Sequence, residues 1–209
     1  PYYKGNTFTL FARVHTRLFG VMDLSGRIAY SFGGYNKNDV VAAAAVEWMI
    51  QKKWNHRLGG SVSFYRNSPD YIYDFYYGNH NFWYHKDWPK QNTLKVNAFW
   101  TMMNYKLEFN YFMVQNMVRL DSHFDLYILP KGANVIQFHL FAPVRVKGFG
   151  LDFNAYLQYS SSVALNVPLF AFKASPYYIF NVLRGKLKIQ IGCDLMYNTP
   201  YFADGYYPV

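Results

Sequence analysis

Apolar and polar residues alternate along most of this chain with a period of two. Successive side chains of an extended strand leave on opposite faces, so such a pattern describes strands whose two faces meet unlike surroundings. Phe8, Leu10, Ala12 and Val14 interleave with Thr9, Phe11, Arg13, His15 and Arg17. Leu24, Ile28, Tyr30 and Phe32 alternate with Asp23, Ser25, Arg27 and Ser31. Leu94, Val96, Ala98, Trp100 and Met102 face away from Lys95, Asn97 and Thr101, and Leu107, Phe109, Tyr111 and Met113 from Glu108 and Asn110. The clearest series are Leu151 to Tyr159 against Asp152, Asn154, Tyr156 and Gln158, and Leu187 to Tyr197 against Lys188, Gln190, Asp194 and Asn198. Weaker alternation runs from Leu58 to Phe64, Ile136 to Val146 and Phe172 to Val182.

One segment reads two ways. Asp39 to Trp54 contains Ala42 to Ala45 and fits a helix capped by Asp39, since alanine is the best helix former. Its even positions, Val40 to Ile50, also form an apolar strand face against Glu47 and Gln51. The surrounding strands favour the second reading.

The connections alternate as well. Short links fall near Phe19-Gly20, Asn55-His56, Asn104-Tyr105, Lys147-Gly148 and Arg184-Gly185. Longer ones lie between them, at 33–39, 67–92, 115–134 and 160–168. Tight turns at one rim and long loops at the other are the asymmetry of an outer-membrane barrel. A soluble sandwich has no reason to gather its long loops at one end. About ten meander strands fit the chain.

Composition is compatible with that architecture. The longest apolar run, Val40 to Val46, is far short of the roughly 20 residues of a membrane helix. A mean hydropathy of -0.15 is what strands with one polar face produce, each needing only about 9–11 residues to cross. The 21 Tyr and 19 Phe suit a membrane interface, where amphipathic rings sit at headgroup level, or a ligand-stacking surface. Tyr30, Phe32, Tyr111, Tyr159, Tyr178 and Tyr197 fall toward strand ends on the apolar side, as a girdle would.

The polar face is then the expected lumen wall. Its charged candidates are Arg13, Arg17, Arg27, Lys95, Arg145, Lys173 and Lys188, against Asp23, Glu47, Glu108, Asp152 and Asp194. Mixed signs of this kind make cross-strand ion pairs, and a mild basic excess would make an eyelet that favours anions. The connection 67–92 carries a second cluster, with Tyr71, Tyr73, Trp83 and Trp88 among its rings and His80 and His85 beside them. These rings either stack on a ligand such as a sugar, or else pack on one another at the rim or belong to strand extensions above the membrane, and the second reading is favoured.

Other chemistry lacks a sequence signal. There is no G-x-S-x-G, H-E-x-x-H, phosphate-binding loop or C-x-x-C, so no catalytic, cofactor or metal site is expected. The lone Cys193 sits at an apolar strand position and reads as a small packed or lipid-facing residue. The net charge of +9 is scattered, with no Lys/Arg run longer than two, so nucleic acid is not an expected partner.

Two stretches resemble the putative porin family of Bacteroidetes-type outer membranes. One is SPDYIYDFYYGNHNFW (68–83), and the other runs from VPLFAFKASPYYIF (167–180) into LKIQIGCDLMYNTPYFADGYYPV (187–209). Members similar to it carry an L-x-[IL]-x-[IL]-G-x-[DE] strand followed by T-x-Y-x-A-D-x-Y-x-P. Leu187, Ile189, Ile191, Gly192 and Asp194 match the first part, and Thr199, Tyr201, Ala203, Asp204, Tyr206 and Pro208 the second. The resemblance implies a β-barrel made with a signal peptide and longer than this chain; it carries over no site residues.

The expectation is therefore an all-β chain, an antiparallel transmembrane β-barrel, forming one domain over 1–209 that is part of a larger barrel. The abrupt Pro1-Tyr2-Tyr3 and Pro208-Val209 ends point the same way. The expected function is a bacterial outer-membrane porin-like channel passing small solutes by diffusion. Its partners would be the lipid bilayer with its lipopolysaccharide and the solutes, with a homo-oligomer left open. The alternatives are a structural or secretion-accessory barrel and a soluble, aromatic-rich carbohydrate-binding module.

Overall fold

A computed structural model describes residues 6–78, 82–85, 87–121, 125–129, 131–162 and 165–201. His80 and the Ala203, Asp204, Tyr206 and Pro208 of the terminal pattern lie outside these residues. The strands are β1 (Phe8–Leu18), β2 (Met22–Phe32), β3 (Val40–Gln51), β4 (His56–Asn67), β5 (Phe75–Tyr77), β6 (Phe82–Tyr84), β7 (Gln91–Met102) and β8 (Tyr105–Gln115). They continue with β9 (Val118–Leu120), β10 (Leu126–Ile128), β11 (Ala133–Val146), β12 (Phe149–Ser160), β13 (Phe170–Val182), β14 (Leu187–Gly192) and β15 (Leu195–Asn198). Two short 3₁₀ turns, Tyr71–Tyr73 and Leu183–Gly185, are the only helical elements among the described residues.

The long strands form one antiparallel meander in the order β1-β2-β3-β4-β7-β8-β11-β12-β13-β14, with β15 also paired to β13. β14 and β15 continue a single register, Tyr177 facing Gly192 and Ala174 facing Leu195. The gap between them lies opposite Pro176. Cys193 donates its N–H to the Pro176 carbonyl at 3.1 Å, but proline has no N–H to return. The two pieces are one strand interrupted by a missing donor, and the sheet has the ten strands expected.

The ambiguous segment is a strand. Ala42 to Ala45 pair with β2 on one side and β4 on the other, and the register slips once, between Met49 and Gln51. Its two neighbours, β2 and β4, supply the backbone partners that an isolated alanine-rich helix would have found within itself.

The links sort by length to opposite ends of the sheet. At one end lie 19–21, 52–55, 103–104, 147–148 and 183–186, and at the other 33–39, 68–90, 116–132 and 161–169. The tight end relies on left-handed backbone, with Phe19, Asn55, Met103 and Lys147 at φ values of 53°, 48°, 54° and 52° and Gly20 at 69°. Positive φ lets a very short loop follow the right-handed twist of the strands it joins. The long end folds back on itself through the hairpins β5–β6 and β9–β10. Asp39 ties it down: its Oδ1 accepts from the Ser68 N–H at 2.8 Å, the Ser68 hydroxyl at 3.0 Å and Lys90 Nζ at 2.5 Å.

Exposure across the sheet is inverted relative to a soluble protein. Leu10, Ile28, Leu58, Val62, Phe138 and Leu157 all lie on the apolar face and are 47–68% exposed. Along β4 and β11 the polar-face residues between them, including Ser61, Ser63, Gln137 and His139, are half-buried. The buried apolar residues among those described are Ala29, Val118 and Ala133, which do not make a core. Full burial of a Val, Leu, Ile or Phe is worth about 1.5–3 kcal/mol. At half exposure those six alone forgo roughly 5–9 kcal/mol in water, comparable to the whole net stability of about 5–15 kcal/mol of a folded domain. This face requires a cover.

The sheet does not close. β1 pairs only with β2, and β14 and β15 pair only with β13. The all-β antiparallel meander is present as expected, and among the described residues both edges are open, so these strands form a sheet and not a closed barrel.

Candidate functional site

Adding the registers strand by strand places Arg13, Arg17, Arg27, Lys95, Glu108, Arg145, Asp152, Lys188 and Asp194 on one face of the sheet. Parity alone forces this once the strand boundaries and the single slip in β3 are known. The registers also resolve the face into rows running across the strands, which no single strand reveals.

The first row is Arg17, Asp23, Glu47, Gly59, Phe99, Glu108, His139 and Tyr156. Here charges are matched. Arg17 grips Asp23 with two hydrogen bonds of 2.7 and 2.9 Å, a bidentate fit of guanidinium to carboxylate. Arg57 reaches Glu47 at 2.8 Å from the adjoining row. Glu108 receives Lys106 at 2.8 Å on one oxygen and His139 Nδ1 at 2.9 Å on the other. The other ring nitrogen of His139 stands 3.2 Å from Asn154 Oδ1. The Phe99 ring reaches over Gly59, where a Cβ would come within 2.5 Å of it.

The second row is His15, Ser25, Ala45, Ser61, Asn97, Asn110, Gln137 and Gln158. Its last four side chains are linked in series. Asn97 donates to Asn110 at 2.8 Å, Asn110 to Gln137 at 3.3 Å and Gln137 to Gln158 at 3.0 Å. Asn110 and Gln137 each accept from one neighbour and donate to the next, so the series crosses four strands without a charge.

The third row is Arg13, Arg27, Ala43, Ser63, Lys95 and Phe112. Lys95 lies over the rings of Tyr65 and Phe112, 5.3 and 6.0 Å from their centroids. Toward the tight-turn end, Arg145 pairs with Asp152 at 2.5 Å and stacks on Tyr177 at 5.1 Å. Tyr177 in turn lies between Gly150 and Gly192. Lys173 and Ser175 hold Asp194 at 2.8 and 2.6 Å, and Lys188 stands opposite Asn181.

The loop candidates form a separate group. Trp83 stacks on Tyr76 at 4.5 Å and 23°, and its indole N–H donates to the Ile72 carbonyl at 2.8 Å. Trp88 donates to the Tyr73 carbonyl at 3.1 Å, and Tyr71 meets Tyr35 edge-on at 5.7 Å. The indole donors are spent within the loop, as the self-packing reading expects. Tyr77 and Phe82 are cross-strand neighbours that remain 81% and 77% exposed.

No group of three or more His, Cys, Asp or Glu side chains is placed to hold a metal among the described residues. The face is built to hydrate and orient charge. Sequence reasoning had not singled out the amide series, Arg57, His139 as a bridge or Tyr177. Residue parity could have placed all of them on this face, but their rows required the registers.

A family model described as "Putative porin" matches residues 1–209, the whole chain. No curated protein and no solved structure matches it.

Proposed function

The chain belongs to the putative porin family, and from that premise we propose that its polar face lines an outer-membrane channel through which small solutes diffuse. Family membership carries a porin-like outer-membrane role at the level of the family. The finer reading rests on one observation, the inverted exposure of the sheet. The apolar face is presented outward without a second layer, while the opposite face carries ion pairs and a half-buried amide series.

A bilayer supplies the cover that the apolar face lacks. The strands of the main sheet run mostly 11–14 residues, enough to cross it when tilted, given the roughly 9–11 residues that a crossing strand needs. The aromatic residues Tyr30, Tyr159, Tyr178 and Tyr197 stand on the same outward face, all more than one-third exposed, and would meet headgroups. Lipid and lipopolysaccharide are thus the partners of one face and water with its solutes those of the other. Catalysis has no part in this reading. A lumen is complete once the β1 and β14–β15 edges are paired, since unpaired backbone is not tolerated in hydrocarbon.

The test is conductance. Full-length protein, folded from the outer membrane into detergent and added to a planar bilayer, should give stepwise increases in current. Protein that inserts in folded form and never conducts would reject the channel and leave a structural barrel. Protein that stays soluble and monomeric without detergent would reject both.

A further inference from the structure

We propose that Arg13 and Arg27 form a binding site for small solutes bearing a carboxylate or phosphate group; the inference rests on the channel reading only for how the solute arrives. The two arginines face each other directly across β1 and β2. Like charges in that position repel and destabilise a strand pair. Four other cations on this face are answered by carboxylates, in Arg17–Asp23, Arg57–Glu47, Arg145–Asp152 and Lys173–Asp194, and Lys95 lies over two rings. Arg13 and Arg27 have no carboxylate within ion-pair distance among the described residues, and the nearest ones by register, Asp23 and Glu47, are already engaged.

The two guanidiniums also border a space. A hollow of about 210 Å³ lies beside them, and between the arginines and Ser61 and Ser63 its floor is made of Ser25, Ala43 and Ala45. Small side chains keep that floor low, and three hydroxyls point chemistry for hydrogen bonding toward it. At about 30 Å³ per water, the hollow holds roughly seven waters, or one small organic anion with part of its hydration. Lys95 closes the same row three strands beyond Arg27, about 14 Å away at ~4.8 Å per strand. The row therefore sets cations on both sides of a shallow floor of small side chains.

Two planar guanidiniums side by side match the oxygens of a carboxylate or phosphate in a way that ammonium groups do not. An anion between them replaces their mutual repulsion with two attractions. The site would be occupied briefly by each passing anion and would bias the channel toward anions.

The experiment uses the full-length protein in detergent, with citrate and inorganic phosphate as probes in titration calorimetry, and the same preparation in planar bilayers under a KCl gradient. Three double variants are compared: R13Q/R27Q, R13K/R27K, and K52Q/K53Q, which removes the same charge at a tight turn. Citrate should bind the parent and K52Q/K53Q equally, at least tenfold more weakly to R13K/R27K, and undetectably to R13Q/R27Q. Heat-modifiable migration checks folding, and R13Q/R27Q should melt no lower than the parent because a repulsion has been removed. The anion-to-cation permeability ratio should fall at least threefold in R13Q/R27Q and stay near the parent value in R13K/R27K. Equal citrate binding by the parent and R13Q/R27Q, or none by the parent, overturns the site. Arginine-dependent binding without any conductance upholds the site and rejects the channel; conductance with an unchanged ratio and no citrate binding does the reverse.

Discussion

The imidazole of His139 lies flat against the phenol ring of Tyr156, with 4.3 Å between centroids and 2° between planes. The two residues are direct neighbours across β11 and β12, and stacking holds the imidazole so that one nitrogen meets Glu108 and the other Asn154. Three strands are thereby joined through a single side chain.

Replacing that side chain should loosen all three. His139→Ala removes a contact to a carboxylate that is mostly sheltered from water, and hydrogen bonds to charged groups contribute about 1.5–3 kcal/mol. The expected loss is about 1–3 kcal/mol, read from the urea midpoint of refolding into detergent micelles. Tyr156→Phe keeps the stack and should cost less than His139→Ala; the opposite order would show that the phenol, not the imidazole, ties the strands.

Ser61 and Val62 are adjacent in β4 and point to opposite faces. Arginine on the lipid side of a barrel costs about 2–4 kcal/mol near the bilayer midplane. Val62→Arg should therefore deplete the folded, heat-modifiable form in outer membranes, while Ser61→Arg should leave it near the parent level. Equal depletion by both would contradict the assignment of faces.

Asp39 gathers Ser68 and Lys90 at the base of the long 68–90 connection. Asp39→Ala leaves Lys90 without its carboxylate in a half-buried position, at a cost of about 1–3 kcal/mol. The strands of the sheet do not depend on this group. Limited proteolysis of the folded protein should consequently cut within 68–90 several times faster in the variant while the sheet remains protected.

Gly59 has Phe99 packed over it and the Val46 carbonyl only 2.8 Å from where a Cβ would stand. The ring can turn aside, but the carbonyl belongs to the β3 backbone and cannot. Gly59→Ala should cost about 1–3 kcal/mol through overpacking. Phe99→Ala in the same background should recover only part of that loss, because the carbonyl clash persists. Full recovery, measured by the melting of heat-modifiable migration, would locate the clash in the ring alone.

The faces were readable from parity because period two leaves no freedom once a strand is recognised. Arg13, Lys95, Asp152 and Asp194 sit on the expected side for that reason, and the alternation of link lengths identified the two rims. Rows are another matter. Asn97, Asn110, Gln137 and Gln158 become a series only through the offsets between β7, β8, β11 and β12, and those depend on links such as 103–104 and 116–132. Asp39 was suggestive as a helix cap, yet its partners Ser68 and Lys90 are too distant in the chain for any local pattern to reveal. The break opposite Pro176 was visible in principle, since proline lacks the donor a ladder needs. Membership of a larger barrel is an expectation that alternation along a strand cannot address, since it says nothing about what pairs with the first and last strands.

In the meander each long strand bonds only to its predecessor and successor in the main sheet, so a hairpin is a self-contained unit of sheet width. Adding or deleting one changes the strand number by two, keeps every remaining strand antiparallel and preserves which face each presents. Barrel diameter grows roughly linearly with strand number. In a lumen of the kind proposed above, bore width is thus a quantity that duplication or loss of a hairpin would adjust in steps, while the chemistry of each row travels with its strands.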